Sequence, residues 1–486
     1  MEKNTGSGKL INEKKRHIAV AIGRFTATAL LITTIIFISL PGSAPAEAQS
    51  QISYRNATFS TGSSPSAAKI GDLDGDGRND IAVVNRQGNL QLFFNTGAGS
   101  FQRVSLNGLW PSDSTTFDVD IGDLNGDGRK DIAVAFSTSS GAISVLLNQG
   151  NRTFAAPVSY DSCQSSRGVA IADLDQDGDN DLADINQCSR SGVLLNRGQG
   201  SFIFNGVYGS GTFSRSIVLA DFNRDGFKDI AYVNRTVGGN VTVVFNNGDG
   251  SFGPPSFHYA GDIPDDLTTG DFDGEGTTDI AIANSYYSQI IILFNSTDGS
   301  FPGYSEITGT DTPTSITSGD FNGDGRLDFA VASQGNNRIS VFLKQNGYNF
   351  SDPIDFSVGQ SPVDIAAGNL DGDSLPDLVT VNQSSGNITV LFSGSSTSQP
   401  PPPPPPAQIT LTASKRSTST AKLVDLRWNG ATGASVDIYR NGSRITTVAN
   451  NGSHTDRMGS RTRGTFRYKV CVAGSQQCSG EASVSF

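Results

Sequence analysis

A nine-residue acidic stretch, Asp72-Leu-Asp-Gly-Asp-Gly-Arg-Asn-Asp80, returns six more times, starting at Asp123, Asp173, Asp221, Asp271, Asp320 and Asn369, with 48–51 residues between starts. So even a period in a chain of 486 residues constrains the fold more than composition does. One supersecondary unit is repeated, and each copy buries its apolar face against its neighbours. Within a copy, oxygen-bearing side chains stand at positions one, three, five and nine. Glycine at position six frees the backbone for a sharp bend, and position seven offers its carbonyl oxygen.

That alternation suits a hard cation. Ca²⁺ takes six to eight oxygens in flexible geometry, and carboxylates crowded together repel one another without one. The expected ligands in the first loop are Asp72, Asp74, Asp76, Arg78 (through its carbonyl) and Asp80. The second loop offers Asp123, Asn125, Asp127, Arg129 and Asp131, and the third Asp173, Asp175, Asp177, Asp179 and Asp181. In the fourth they are Asp221, Asn223, Asp225, Phe227 and Asp229; in the fifth, Asp271, Asp273, Glu275, Thr277 and Asp279. The sixth has Asp320, Asn322, Asp324, Arg326 and Asp328. The seventh, with Asn369, Asp371, Asp373, Leu375 and Asp377, has Ser374 in place of the glycine and is expected to be the weakest. An EF-hand shares this opening but needs a Glu at position twelve and flanking helices. Position twelve here is Val83, in an apolar β-branched run. The other reading, seven Asp-Gly hairpin turns, leaves the acids at all four positions unexplained.

Around each loop the chain reads as short strands. Ser66–Ile70 precedes the first loop, Ile81–Val84 follows it, Leu90–Phe94 comes after a polar turn, and an Asn-Gly-rich turn ends in Phe101. Four strands per unit, repeated seven times without helix signals, predict an all-β fold, a seven-bladed β-propeller. The turn phenylalanines, taken as Phe59, Phe101, Phe154, Phe202, Phe252, Phe301 and Phe350, each announce an outer strand. The first lies ahead of any acidic loop, so the N-terminal strand is expected to complete the last blade and remove a free edge.

The run from Gly71 to Val83, followed by the Asn-x-Gly-x-Gly-x-Phe turn, resembles the FG-GAP/VCBS repeat of integrin α subunits and many exported bacterial proteins. The resemblance covers residues 49–394. It implies a seven-bladed propeller with Ca²⁺ between the first and second strands of each blade. The family spans adhesion, lectin-like binding and some polysaccharide lyases, and fold alone does not choose among them.

Outside the repeats, residues 1–48 carry a basic stretch, an apolar run from Phe25 to Leu40, and small-x-small sites at Ala44–Ala46 and Ala46–Ala48. This is the layout of a secretory signal peptide; an uncleaved N-terminal anchor is the alternative. Residues 395–406 end in seven prolines, a semi-rigid spacer. Residues 407–486 alternate as strands and form a small β-sandwich. Trp428 on an early strand and Tyr468 on a late one resemble a fibronectin type III domain, which makes them core and tyrosine-corner residues. The four cysteines fall into local pairs without metal-site spacing, and export favours the disulfides Cys163–Cys188 and Cys471–Cys478. Free thiols at the first pair are the alternative.

The net charge of −12 is unevenly spread: residues 407–486 carry +7, residues 1–48 +3, and the propeller −22. An acidic propeller argues against nucleic acid. The turns between second and third strands, and the blade connections, lie on the face away from the acidic loops. They carry Arg86, Trp110, Arg190, Tyr208, Arg235, His258, Tyr259, Tyr286 and Tyr287, the residue types recognition surfaces use. No catalytic constellation is visible. The chain is expected to be a monomeric, exported, calcium-binding module. Its partner is an extracellular glycan or surface protein, its location extracellular, cell-surface or periplasmic, with membrane contact only through an uncleaved leader. A polysaccharide lyase drawing a base from His258, Tyr259 or Arg235, and a purely structural spacer, are the other readings.

Overall fold

The computed structural model describes residues 52–486 except 112–113, 138–141, 163–164, 187–190, 210, 212, 395–408, 432–434 and 474–477. The leader, the proline linker, Cys163, Cys188 and Arg190 lie outside the described residues.

Eight four-stranded antiparallel sheets occur among them, seven of these built from strands between Tyr54 and Ser393. The first blade runs Pro65–Gly71, Asp80–Asn85, Asn89–Gly97 and Ser100–Leu106 from inside outward. Its second strand, Asp-Ile-Ala-Val-Val-Asn, is buried at every residue, because it is covered on both faces by neighbouring blades. The outer strand instead alternates half-buried and exposed residues. Blades pack face to face: Val84, Leu92 and Phe94 of the first share a core with Val119, Ile132 and Phe136 of the second. Several first strands are entered through a residue in the left-handed conformation, among them Ser64, Ile263, Thr312 and Ser361, with φ of 50–58°. Each of these four precedes the proline that opens its strand, a position where no ladder hydrogen bond is lost.

The ring closes between the seventh blade and the first. Pro362–Gly368 packs beside Pro65–Gly71, and Val379, Val381 and Val390 share a core with Ala68, Ile81 and Val83. Strand Tyr54–Ser60 is the fourth of the last blade, paired with Asn387–Ser393 from Tyr54↔Ser393 to Ser60↔Asn387. The register corrects one expectation. Phe59 is not the counterpart of the turn phenylalanines, since it lies at the far end of its strand. In other blades the phenylalanine faces the residue that follows the third strand's apolar run, as in Phe101↔Asn95 and Phe202↔Asn196. In the last blade that partner is Ser393, and Tyr54 faces it. Phe252 and Phe350 make only isolated bridges ahead of the outer strands Ser256–Tyr259 and Ile354–Ser357.

The C-terminal module has a three-stranded sheet, Thr410–Ser417, Ala421–Asn429 and Ser453–Gly459. Its second sheet has four strands in the order Ser443–Ala449, Ser435–Arg440, Thr465–Val472, Ala482–Ser485. Trp428 and Tyr468 are in its core. The Tyr468 hydroxyl does not reach back to the main chain as a tyrosine corner would; it donates to Asp456 Oδ2 at 2.7 Å, and Arg440 holds the same oxygen at 2.7 Å. Cys471 and Cys478 are bonded.

Candidate functional site: the acidic loops and the opposite face

Each acidic loop joins the first two strands of its blade, and its own amides organise it. In the first, Asp72 accepts from Gly75 N–H at 2.7 Å and Gly77 N–H at 2.9 Å, Asp74 from Asp76 N–H at 3.2 Å, and Asp76 from Arg78 N–H at 3.0 Å. Gly75 and Gly77 have φ of 77° and 83°, a conformation that side chains disfavour. Ligand oxygens lie within 4.8 Å of one another in three acidic groups: Asp72, Asp74 and Asp80; Asp173, Asp175 and Asp181; Asp271, Asp273 and Asp279. An all-oxygen donor set of this kind fits Ca²⁺. In the second, fourth and sixth loops, position three is Asn125, Asn223 or Asn322, and each donates its amide to the position-five Asp at 2.8–3.0 Å.

Position nine does more than face the loop. Asp80 is fully buried; its Oδ2 accepts from Leu73 N–H at 2.8 Å and its Oδ1 from Asn95 N–H at 2.7 Å. Asp131, Asp181, Asp229, Asp279, Asp328 and Asp377 repeat this clasp. It ties the loop to the end of the third strand, so the residue is a structural fastener as well as a candidate ligand. Burial pushes the Asp80 carboxyl up to about 6 against the pull of its two amides, with Asp74 and Asp76 adding to the push. A cation would favour the ionised form.

At position seven the side chains make contacts of their own. Arg78 and Arg129 pair with Asp76 and Asp127, and their Nε groups donate to the carbonyls of Asn95 and Asn148 at 3.1 and 2.9 Å. Arg326 pairs with Asp324 at 2.8 Å. In the seventh loop, Asn369 Oδ1 accepts from Gly372 N–H at 2.7 Å as the position-one aspartates do, while its amide donates to the Asp373 carbonyl.

A second ring of contacts escaped the sequence reading. Asn148 Nδ2 donates to Lys130 O of its own blade at 2.9 Å and to Leu73 O of the preceding blade at 2.7 Å. Asn95, Asn196, Asn246 and Asn295 do the same. The asparagine after each third strand, opening an Asn-x-Gly turn at Asn95, Asn148, Asn196 and Asn246, was visible in the sequence; its bond across blades was not.

On the opposite face the candidate ligand residues separate into two groups. Trp110 is buried between the first two blades, 6.2 Å from Phe136, and is a core residue. His258 is half-buried, packs edge-on to Phe301 of the next blade at 4.8 Å and meets Ser256 Oγ at 3.0 Å. Tyr208 is half-buried against Phe252. By contrast, Tyr259, Tyr286 and Tyr287 are exposed, joined by Tyr304, which the sequence reading did not single out. Tyr259 meets Tyr304 at 4.8 Å, Tyr286 meets Tyr287 at 5.0 Å, and Tyr287 donates to Asp262 Oδ2 at 2.7 Å. Arg235 points elsewhere: its Nε donates to Asp265 Oδ1 at 2.8 Å.

A closed ring of four-stranded blades, with an acidic turn at the same corner of each, defines a repeat β-propeller. The FG-GAP-like repeat model matches residues 72–134, 123–183, 173–232, 221–282, 271–331 and 320–380. The matches cover more than half of the chain, which belongs to the FG-GAP-like repeat family. Among solved structures it is similar to BBS1N in complex with ARL6DN, soaked with lead (TM-score 0.49, 13% identity, 72% of this chain and 100% of that chain). It is also similar to Saccharomyces cerevisiae Sqt1 (TM-score 0.47, 11% identity, 70% and 98%). No curated protein matched.

Proposed function

We propose that this chain is an exported, calcium-binding propeller that acts as a binding or adhesion module for an extracellular glycan or surface protein. The observation that carries the reading is the exposed cluster of Tyr259, Tyr286, Tyr287 and Tyr304 across the fourth and fifth blades. Phenol rings present apolar faces and a polar rim at low entropy cost, which suits sugar rings and protein surfaces alike. Export rests on the leader's composition, and the strand order of residues 409–486 supports a fibronectin type III-like accessory domain. Ca²⁺ held by the acidic loops would neutralise their charge and stiffen the corner of each blade.

A glycan array read in Ca²⁺ buffer, with product analysis on every positive glycan, tests the proposal. Binding without turnover is expected, weakened at least about tenfold by Tyr259→Ala or Tyr287→Ala, a loss of about 1.4 kcal/mol. Cleaved product, or binding indifferent to both substitutions, overturns it.

A further inference from the structure

Four arginines from three blades meet at one end of the central channel, the end away from the acidic loops. Arg167 and Arg215 begin the first strands of the third and fourth blades. Arg86 and Arg235 follow the second strands of the first and fourth. All four line one cavity of about 290 Å³ with Phe117 and Asp265.

Two anchors set their positions. Asp265, 1% exposed, accepts on one oxygen both Arg215 Nη1 at 2.7 Å and Arg235 Nε at 2.8 Å. The Phe117 ring carries the other two guanidinium groups, that of Arg167 at 4.0 Å and that of Arg86 at 5.9 Å from its centroid. Three further carboxylates, Asp118, Asp266 and Asp364, line the cavity, but backbone amides of neighbouring blades hold them. Asp118 accepts from Val169 N–H at 3.1 Å, Asp266 from Ile316 N–H at 2.9 Å, and Asp364 from Ala68 N–H at 2.8 Å. Burial disfavours the charged form of Arg86 and Arg167, and neighbouring arginines disfavour it further. Like charges gathered in a half-enclosed cavity are stabilised by a counter-ion of opposite sign. Guanidinium groups offer forked donors that match planar and tetrahedral oxoanions.

We infer that this channel mouth binds an oxoanion group, a carboxylate or a sulfate, through Arg86, Arg167, Arg215 and Arg235, with Asp265 and Phe117 as positioning residues. The site is distinct from the tyrosine cluster and does not depend on what that cluster binds. The group comes either from a free inorganic ion or from an acidic saccharide, and two probes separate these sources.

Isothermal titration of the full chain with sodium sulfate and with sodium glucuronate, against sodium chloride at matched ionic strength, tests the site. Saturable one-to-one binding of at least one probe is expected, weakened about tenfold or more in Arg86→Gln and Arg215→Gln. Tighter binding of glucuronate identifies an acidic saccharide as the source; tighter binding of sulfate identifies the free inorganic ion. Arg215→Gln breaks an ion pair with a buried carboxylate and is prone to misfold. Arg86 lies outside the Asp265 pair, so Arg86→Gln, with its melting curve recorded, decides the matter. Absence of saturable heat with both probes, or a folded Arg86→Gln that binds like the parent, overturns the assignment. A negative glycan array leaves the sulfate result standing.

Discussion

The Ser53 hydroxyl donates to the Gly394 carbonyl at 2.8 Å across 341 residues of sequence, marking the seam where the ring is closed. Beside it, strand Tyr54–Ser60 gives the last blade its outer edge. Deleting residues 51–60 leaves strand Asn387–Ser393 with unpaired amides and carbonyls, a template for pairing between molecules. The deletion is expected to lower the melting temperature markedly and to produce oligomers in light scattering. A truncated chain that is monomeric and melts like the parent would refute this account of the seam.

Positions five and nine of one loop are expected to behave differently. Asp131→Ala strips two buried amides of their acceptor and costs about 3 kcal/mol even in chelator, with the loss of a candidate ligand added in Ca²⁺ buffer. Asp127→Ala removes a candidate ligand on the exposed side of the loop, so its effect is confined to Ca²⁺ buffer. One site filled at a hundred times its Kd contributes roughly 2.7 kcal/mol. Urea unfolding of both variants in Ca²⁺ and in chelator checks this, and equal losses in both buffers at Asp127 would show that the loop holds no cation.

Asn148→Ala removes two amide hydrogen bonds, one of them to the preceding blade, and leaves the Leu73 and Lys130 carbonyls bare. A destabilisation of about 2 kcal/mol is expected. Asn148→Asp, which keeps the size and loses the donors, should cost at least as much, and denaturant midpoints give both values.

Asp184 is fully buried in the second strand of the third blade, where other blades carry Val83, Val134 or Ile282. Its Oδ2 accepts from Ser166 Oγ at 2.7 Å. Burial pushes its carboxyl up to about 6, against the pull of that hydroxyl. The folded chain therefore holds a proton that the unfolded chain releases, and stability at this site falls as pH rises from about 4 through 6. Asp184→Asn is expected to stabilise the protein by about 3 kcal/mol at pH 7.5, at about 1.4 kcal/mol per unit of displacement. The gain should vanish below pH 4; a gain that persists there would assign the effect to packing.

Much of the molecule was legible in its sequence, for a local reason. Ligand alternation, the glycine bend and the apolar run after each loop lie within a dozen residues, so the period, the strands and the loop chemistry can be read along the chain. Ring closure was legible too, because an unpaired strand at one end implies a missing one at the other. What tertiary structure alone decided is whatever depends on a neighbouring blade. Phe59 looked like the other turn phenylalanines until register gave Tyr54 their place. Position nine looked like one more ligand until its two oxygens were found on amides up to 17 residues away. Trp110 and His258 looked like surface residues because loops usually are, yet the adjoining blade buries the first and packs the second. Arg86, Arg167, Arg215 and Arg235 are spread over 150 positions of the chain, and only the ring symmetry brings their side chains to one mouth.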